Sequence, residues 1–227
     1  VDGCSELGQE IVALVNAGIT PVVPEHGSLG ASGDLAPLAH AALTLLGEGE
    51  AEYGGAVVEA AEALTAAGLT PITLADKEGL ALTNGTDGIL GMLCLACHDT
   101  AALLTQADVT AGLTVEGALA TDRAFAADLQ ALRPHLGQAA SAANLRSLLA
   151  GSPLVASHRT GDVRVQDAYS IRCTPQVHGA ARDTLAFAVT TAETELASAI
   201  DNPMVLPDGH PRQRRVLPRR AVVRPQK

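Results

Sequence analysis

The sequence predicts a mainly helical protein, a bundle of long antiparallel helices with one glycine-rich loop feeding into it. Three observations carry that expectation. The core is aliphatic, with 47% hydrophobic residues among 227 but only two Phe, two Tyr and no Trp, and its alanine and leucine favour helix. Apolar residues recur at three- and four-residue spacing through most of the chain. Gly27, Gly30 and Gly33 form a turn that runs straight into an apolar stretch beginning at Leu35.

Taken in order, Leu7, Ile11, Leu14 and Val15 mark a first helix that stops at Gly18, before Pro21. After the glycine turn, Asp34 stands at the N-cap position and Pro37 falls in the first turn, where no intrahelical N–H bond is lost. Residues 35–47 are apolar nearly all round, which predicts a buried helix. The segment 48–55 is polar and reads as surface, 57–67 as a short helix ended by Gly68, and 69–71 as a connector. A further helical pattern begins at Asp76 and is interrupted by Leu82-Thr83-Asn84-Gly85-Thr86, an Asn-Gly turn signal. A long apolar helix follows from Asp87 to about Ala111. Its longest apolar run, 88–97, is too short to span a bilayer.

Two more helices are expected at 115–132 and 137–149, separated by Arg133-Pro134-His135. Residues 151–161 read as a polar connector with His158 and Arg159 solvated. An extended segment enters a helix at Pro175, and 184–199 completes it, with Glu193 and Glu195 as solvated or interhelical charges.

Charge and cysteine content limit the function classes. The net charge is −10, but residues 211–227 hold seven of the 15 basic residues and no acidic one, leaving a charge of −17 on 1–210. An acidic body argues against nucleic acid. Four cysteines, at 4, 94, 97 and 173, make no disulfide framework in a chain of this size and fit a reducing, cytoplasmic setting. Cys94-Leu95-Ala96-Cys97-His98 matches a c-type haem attachment pattern. Its cysteines fall inside an apolar run, where thiols commonly fill a core. Zinc would need a second cysteine pair, so no metal is expected.

The glycine turn fits none of the usual phosphate or nucleophile motifs. It has no P-loop lysine, its Gly-x-x-Gly-x-x-Gly spacing is not a dinucleotide fingerprint, and Asp34 stands where a nucleophile elbow needs its last glycine. Ala31-Ser32-Gly33 can instead close on itself. The unhindered Gly33 nitrogen attacks the Ala31 carbonyl, and two waters leave, the second taking the Ser32 hydroxyl. The product is a methylidene-imidazolone, an electrophile made from backbone.

Gly27-Ser28-Leu29-Gly30-Ala31-Ser32-Gly33-Asp34-Leu35-Ala36-Pro37-Leu38-Ala39-His40 resembles the cofactor-forming signature of the aromatic amino acid ammonia-lyases, and among them the histidine ammonia-lyases. Asn84-Gly85-Thr86, Gln166-Asp167-Ala168-Tyr169-Ser170-Ile171-Arg172-Cys173-Thr174-Pro175-Gln176-Val177 and Asp201-Asn202-Pro203 resemble further segments of that family, in family order. The resemblance implies a fragment of a larger all-helical lyase subunit, with 1–209 as the central part of its catalytic domain. It implies elimination of ammonia from L-histidine to give trans-urocanate, with tyrosine or phenylalanine lyases and aminomutases as the alternative within the family. The methylidene-imidazolone from Ala31, Ser32 and Gly33 would be the only cofactor. Asn84, Gln166 and Arg172 would hold substrate, Tyr169 would join the triplet in catalysis, and the subunit would form homotetramers, with neither nucleic acid nor membrane as partner.

A family tyrosine proposed as catalytic base lies upstream of the matched region and a pocket glutamate downstream, so the 227-residue chain alone is expected to have little activity. Residues 210–227 are expected to be disordered, with a shifted reading frame as one origin. Codons can be chosen for 212–222 that, read one base later, spell Val-Ser-Gly-Gly-Phe-Phe-His-Gly-Glu-Pro-Ser, which resembles the family segment after Asp-Asn-Pro.

Overall fold

The computed structural model describes residues 3–29, 33–201, 203–205 and 211–212, with the side chains of 3–6, 205, 211 and 212 excepted. Ten α-helices and five short strands are described, a mainly helical chain as the composition predicts. The chain divides into two compact units, Val1–Leu90 with Ser198–Lys227, and Gly91–Ala197.

In the first unit, α1 (Gly3–Ala17) ends at Gly18, whose φ of 70° few other residues tolerate, and β1 (Thr20–Pro21) follows. Helix α2 (Leu35–Leu45) comes after the glycine turn. It buries Ala42, Thr44 and Leu45, while Leu35 is 43% exposed, so the all-round burial expected for it holds only in its second half. Residues 50–59 are a hairpin rather than surface coil and helix. Strands β2 (Glu50–Tyr53) and β3 (Ala56–Glu59) pair antiparallel, and β1 pairs with β2. Gly54 and Gly55 both take positive φ, 61° and 83°, the backbone that a two-residue hairpin turn demands. The helix expected over 57–67 is thereby reduced to α3 (Ala60–Ala66). Leu14, Ile19, Leu45, Ala51, Ala63 and Leu64 form the core of this unit.

Helix α4 (Glu78–Thr83) begins after Lys77, which is held at φ 75° and ion-paired to Asp201, and it ends at Asn84. Helix α5 (Asp87–Gly117) is 31 residues long. Within Glu78–Gly117 an 18-residue window has a mean hydropathy of 1.5, apolar and long enough to cross a membrane by length and composition alone. Counting only the run 88–97 understated it, because a helix carries its apolar character across isolated polar residues such as Asp99.

In the second unit the single helix expected over 115–132 is broken. Leu119 has φ 49°, and the Ala120 N–H returns to the Val115 carbonyl at 2.8 Å, which ends α5. A 3₁₀ turn (Arg123–Phe125) and α6 (Ala127–Ala131) follow. The turn buries Phe125 among Val115, Ala120, Ala142, Leu145, Leu149 and Val155. Helix α7 (Leu136–Leu148) is followed by α8 (Pro153–Ser157), a short helix inside the expected connector. The Ser152 hydroxyl caps α8 by accepting from the Val155 N–H at 3.2 Å. His158 and Arg159 are not simply solvated. The His158 ring nitrogens lie 2.9 Å from the Leu154 carbonyl and 3.2 Å from that of Ala120, and Arg159 pairs with Asp122 at 2.9 Å.

Helices α9 (Tyr169–Arg172) and α10 (Thr174–Leu196) complete this unit. Helix α10 packs backbone to backbone on α7, since a Cβ on Gly179 would overlap the Gln138 main chain and one on Gly137 the Gly179 carbonyl. Beyond them, β4 (Met204–Val205) pairs antiparallel with β5 (Pro211–Arg212), the only described part of the basic tail.

Candidate active site

The residues singled out from sequence fall into two groups, one in each unit. In the first unit, Ala31 and Ser32 lie outside the described residues, whereas Gly33 is buried with φ 105°, a backbone open to glycine. A Cβ on Gly33 would overlap the Gly85 carbonyl oxygen, and the Asp34 N–H donates to that same oxygen at 2.9 Å. The C-terminal end of the triplet thus lies directly on the Asn84-Gly85-Thr86 turn. Asn84 itself is half-buried just past the end of α4, and its N–H donates to the Leu80 carbonyl at 2.9 Å.

Asp34 stands at the N-cap position of α2, but its side chain makes no bond to that helix. Its carboxylate accepts from the Ser28 hydroxyl and from the Ile89 N–H, each at 2.6 Å, and it is 1% exposed. It therefore caps the N-terminus of α5, where orphan N–H groups and the helix dipole favour an anion. Its position in the sequence pointed to the adjacent helix, and nothing local could show that the carboxylate reaches one 55 residues away.

In the second unit, Gln166 is exposed in a polar cleft shared with Thr121, His158 and Arg164. Tyr169 is 73% exposed at the start of α9, and the half-buried Arg172 guanidinium lies 5.4 Å from its ring centroid. Arg172 Nε donates to the Asp167 carbonyl at 3.0 Å, which leaves its two terminal nitrogens as the pair suited to a carboxylate. The Asp167 carboxylate accepts from the Thr121 N–H at 2.8 Å and faces Arg164 at 3.4 Å, so the segment carrying Gln166, Tyr169 and Arg172 is pinned at its centre.

Four residues that periodicity did not reveal form a hydrogen-bonded network linking α5, α7 and α10. Asp108, 1% exposed, accepts from Asn144 at 2.8 Å and Arg182 at 2.7 Å, and its other oxygen lies 2.8 Å from His178 Nδ1. Burial raises its carboxyl, but the hydrogen bonds from Asn144, His178 and Arg182 and the Arg182 charge outweigh it and hold the group below its ordinary value. Asp162, on the exposed loop before Gln166, is pulled down to about 2, chiefly by its hydrogen bonds with Arg164. Cys94 and Cys97 are half-buried and His98 is exposed on α5. Among the described residues no cluster of His, Cys, Asp and Glu is suited to a metal ion.

These features define a helical protein in which Gly33 and Asp34 rest on an Asn-Gly turn, and comparison with known proteins gives the class. Residues 5–219 match the family described as aromatic amino acid lyase, and the chain belongs to that family. It is 60% identical over 205 residues to a histidine ammonia-lyase of Streptomyces avermitilis, covering 90% of this chain and 40% of that protein. Among solved structures it resembles the tyrosine aminomutase of Streptomyces globisporus, with a TM-score of 0.81 and 38% identity over 90% of this chain and 42% of the other. It also resembles histidine ammonia-lyase from Trypanosoma cruzi, with a TM-score of 0.76 and 37% identity over 90% and 38% of the two chains. The chain thus spans about two fifths of the length of these relatives.

Proposed function

We propose that this chain is the central part of an ammonia-lyase subunit that releases ammonia from L-histidine to give trans-urocanate. The observation that carries the reading is the Asp34 N–H bond to Gly85, which joins the cyclisable triplet to the Asn84 turn across some fifty residues of sequence. The 60% identity to a protein named histidine ammonia-lyase favours histidine over the tyrosine and phenylalanine alternatives, and nothing in the fold favours haem at Cys94 and Cys97. The glycine-only backbone at Gly33, seated where a Cβ would not fit, suits the methylidene-imidazolone of this family. When formed from Ala31, Ser32 and Gly33, that group supplies an electrophilic carbon, which no side chain offers.

The chain's own residues supply binding and orientation. The Arg172 fork pairs the substrate carboxylate in two parallel bonds, and its contact with Asp167 fixes the plane of that fork. Asn84, with two amide donors and one acceptor, is suited to bind substrate at its turn. Tyr169 and Gln166 offer a phenol and an amide to the charged states that develop during elimination. We assign the subunit to the cytoplasm as a homotetramer, with the apolar exposed side of α5 covered by helices rather than lipid. We also assign 210–227 to a shifted frame, which the gene sequence tests directly.

The activity test uses a subunit carrying this sequence at the length of its relatives. Ammonia release from L-histidine, with little from tyrosine or phenylalanine, is the expected result, and release from either of the latter alone would overturn the assignment. Arg172→Lys should raise KM more than it lowers kcat, since a point charge cannot reproduce the fork.

A further inference from the structure

We infer that Gly85 is a positioning residue for closure of the Ala31-Ser32-Gly33 ring, acting through its carbonyl and through the absence of its own side chain. This rests on the lyase reading above and adds to it a role for a residue outside the triplet.

Two consecutive residues abut one oxygen. The Gly33 Cα approaches the Gly85 carbonyl so closely that a Cβ would overlap it, and the Asp34 N–H donates to the same atom at 2.9 Å. The Asp34 carboxylate then anchors the next atoms along the chain, accepting from Ile89 N–H on one side and Ser28 Oγ on the other. Gly33 contributes the ring-closing nitrogen, one bond from the seated Cα. Closure forms a bond from this nitrogen to the Ala31 carbonyl carbon. One water leaves with that carbonyl's oxygen, the Gly33 amide proton and the Ser32 amide proton, and a second with the Ser32 hydroxyl and its α-proton. No oxidant or reductant is consumed. Holding the nucleophile in one place removes part of the entropic barrier to an unfavourable attack by an amide.

A side chain at position 85 would need its neighbours to move. Gly85 is buried, and a Cβ at 85 would overlap the Asp87 carboxylate and come 3.1 Å from Ile200 Cδ1. Gly85→Ala therefore displaces either Asp87 or the Gly85 carbonyl. Because Asp87 opens α5 and its carboxylate is the nearer obstacle, Asp87→Ala in the same chain makes room for the methyl group and lets the carbonyl return.

The experiment follows the loss of two waters, about 36 Da, by intact mass and peptide mapping in the completed subunit, sampled from the end of synthesis onward. The parent should lose both waters, Gly85→Ala should do so roughly tenfold or more slowly, and Gly85→Ala/Asp87→Ala should regain most of the rate. Equal rates in the parent and Gly85→Ala overturn the role of Gly85 and leave the lyase reading intact. A parent that never loses the waters overturns the lyase reading itself. Should Gly85→Ala fail to fold, amide exchange in Ser32→Ala, which cannot complete the group, tests the clamp directly. Protection of the Asp34 N–H at the level of helix amides supports it, and exchange at the rate of a free peptide overturns it.

Discussion

Asp34 and Asp108 are each only 1% exposed, yet the two units satisfy them by different means. Asp34 meets neutral donors, a hydroxyl and a helix N-terminal amide, and the two bonds bring a loop onto a turn. Asp108 meets Arg182 and the imidazole of His178, with Asn144 completing the set, and the bonds tie α5, α7 and α10 together. The first arrangement fixes backbone, which is what a reaction among backbone atoms needs. The second fixes α10, the helix that follows the exposed segment carrying Gln166 and Tyr169.

The contrast can be broken from the second unit first, where removing a partner strands a buried charge. Asp108→Ala leaves Arg182 half-buried without its carboxylate, and chemical denaturation should show a loss of about 3–5 kcal/mol. Because the folded Asp108 carboxyl lies below its ordinary value, its contribution is complete above that ordinary value and disappears as pH falls through the folded one. Acid unfolding of Asp108→Asn should accordingly be less steep below about pH 4 than that of the parent.

In the first unit Asp34→Ala gives up two bonds to a buried carboxylate without stranding a cation, and about 1.5–3 kcal/mol should be lost. The contact between α7 and α10 is tested by Gly179→Ala, whose methyl group meets the Gln138 backbone. Overpacking there should destabilise by about 1–3 kcal/mol in the same denaturation assay. Lys77→Met removes a partly exposed ion pair with Asp201, and a change below about 1 kcal/mol is expected.

The long helices α1, α5 and α10 were legible because their apolar spacing is regular and their ends carry Gly or Pro. The Asn84 turn and the triplet were legible as motifs. The hairpin at 50–59 was not, although Gly54-Gly55 before Val57-Val58 was a usable hairpin signal that helix-favouring alanines masked. The break after Gly117 depends on burying Phe125 among residues from α5, α7 and α8, a tertiary choice that overrides local propensity. The partners of Asp34 and Asp108 lie 36 to 74 residues away, apart from Ser28, and no periodicity encodes such pairs. The motifs therefore named the candidate residues, while the residues that hold them in place emerged only with the fold.

The most direct test of the account is the mass of the peptide spanning residues 27–40 in the completed subunit. A deficit of two waters, about 36 Da, confined to Ala31-Ser32-Gly33 is the predicted result. A full-mass peptide from a folded, correctly assembled subunit would contradict the account at its centre.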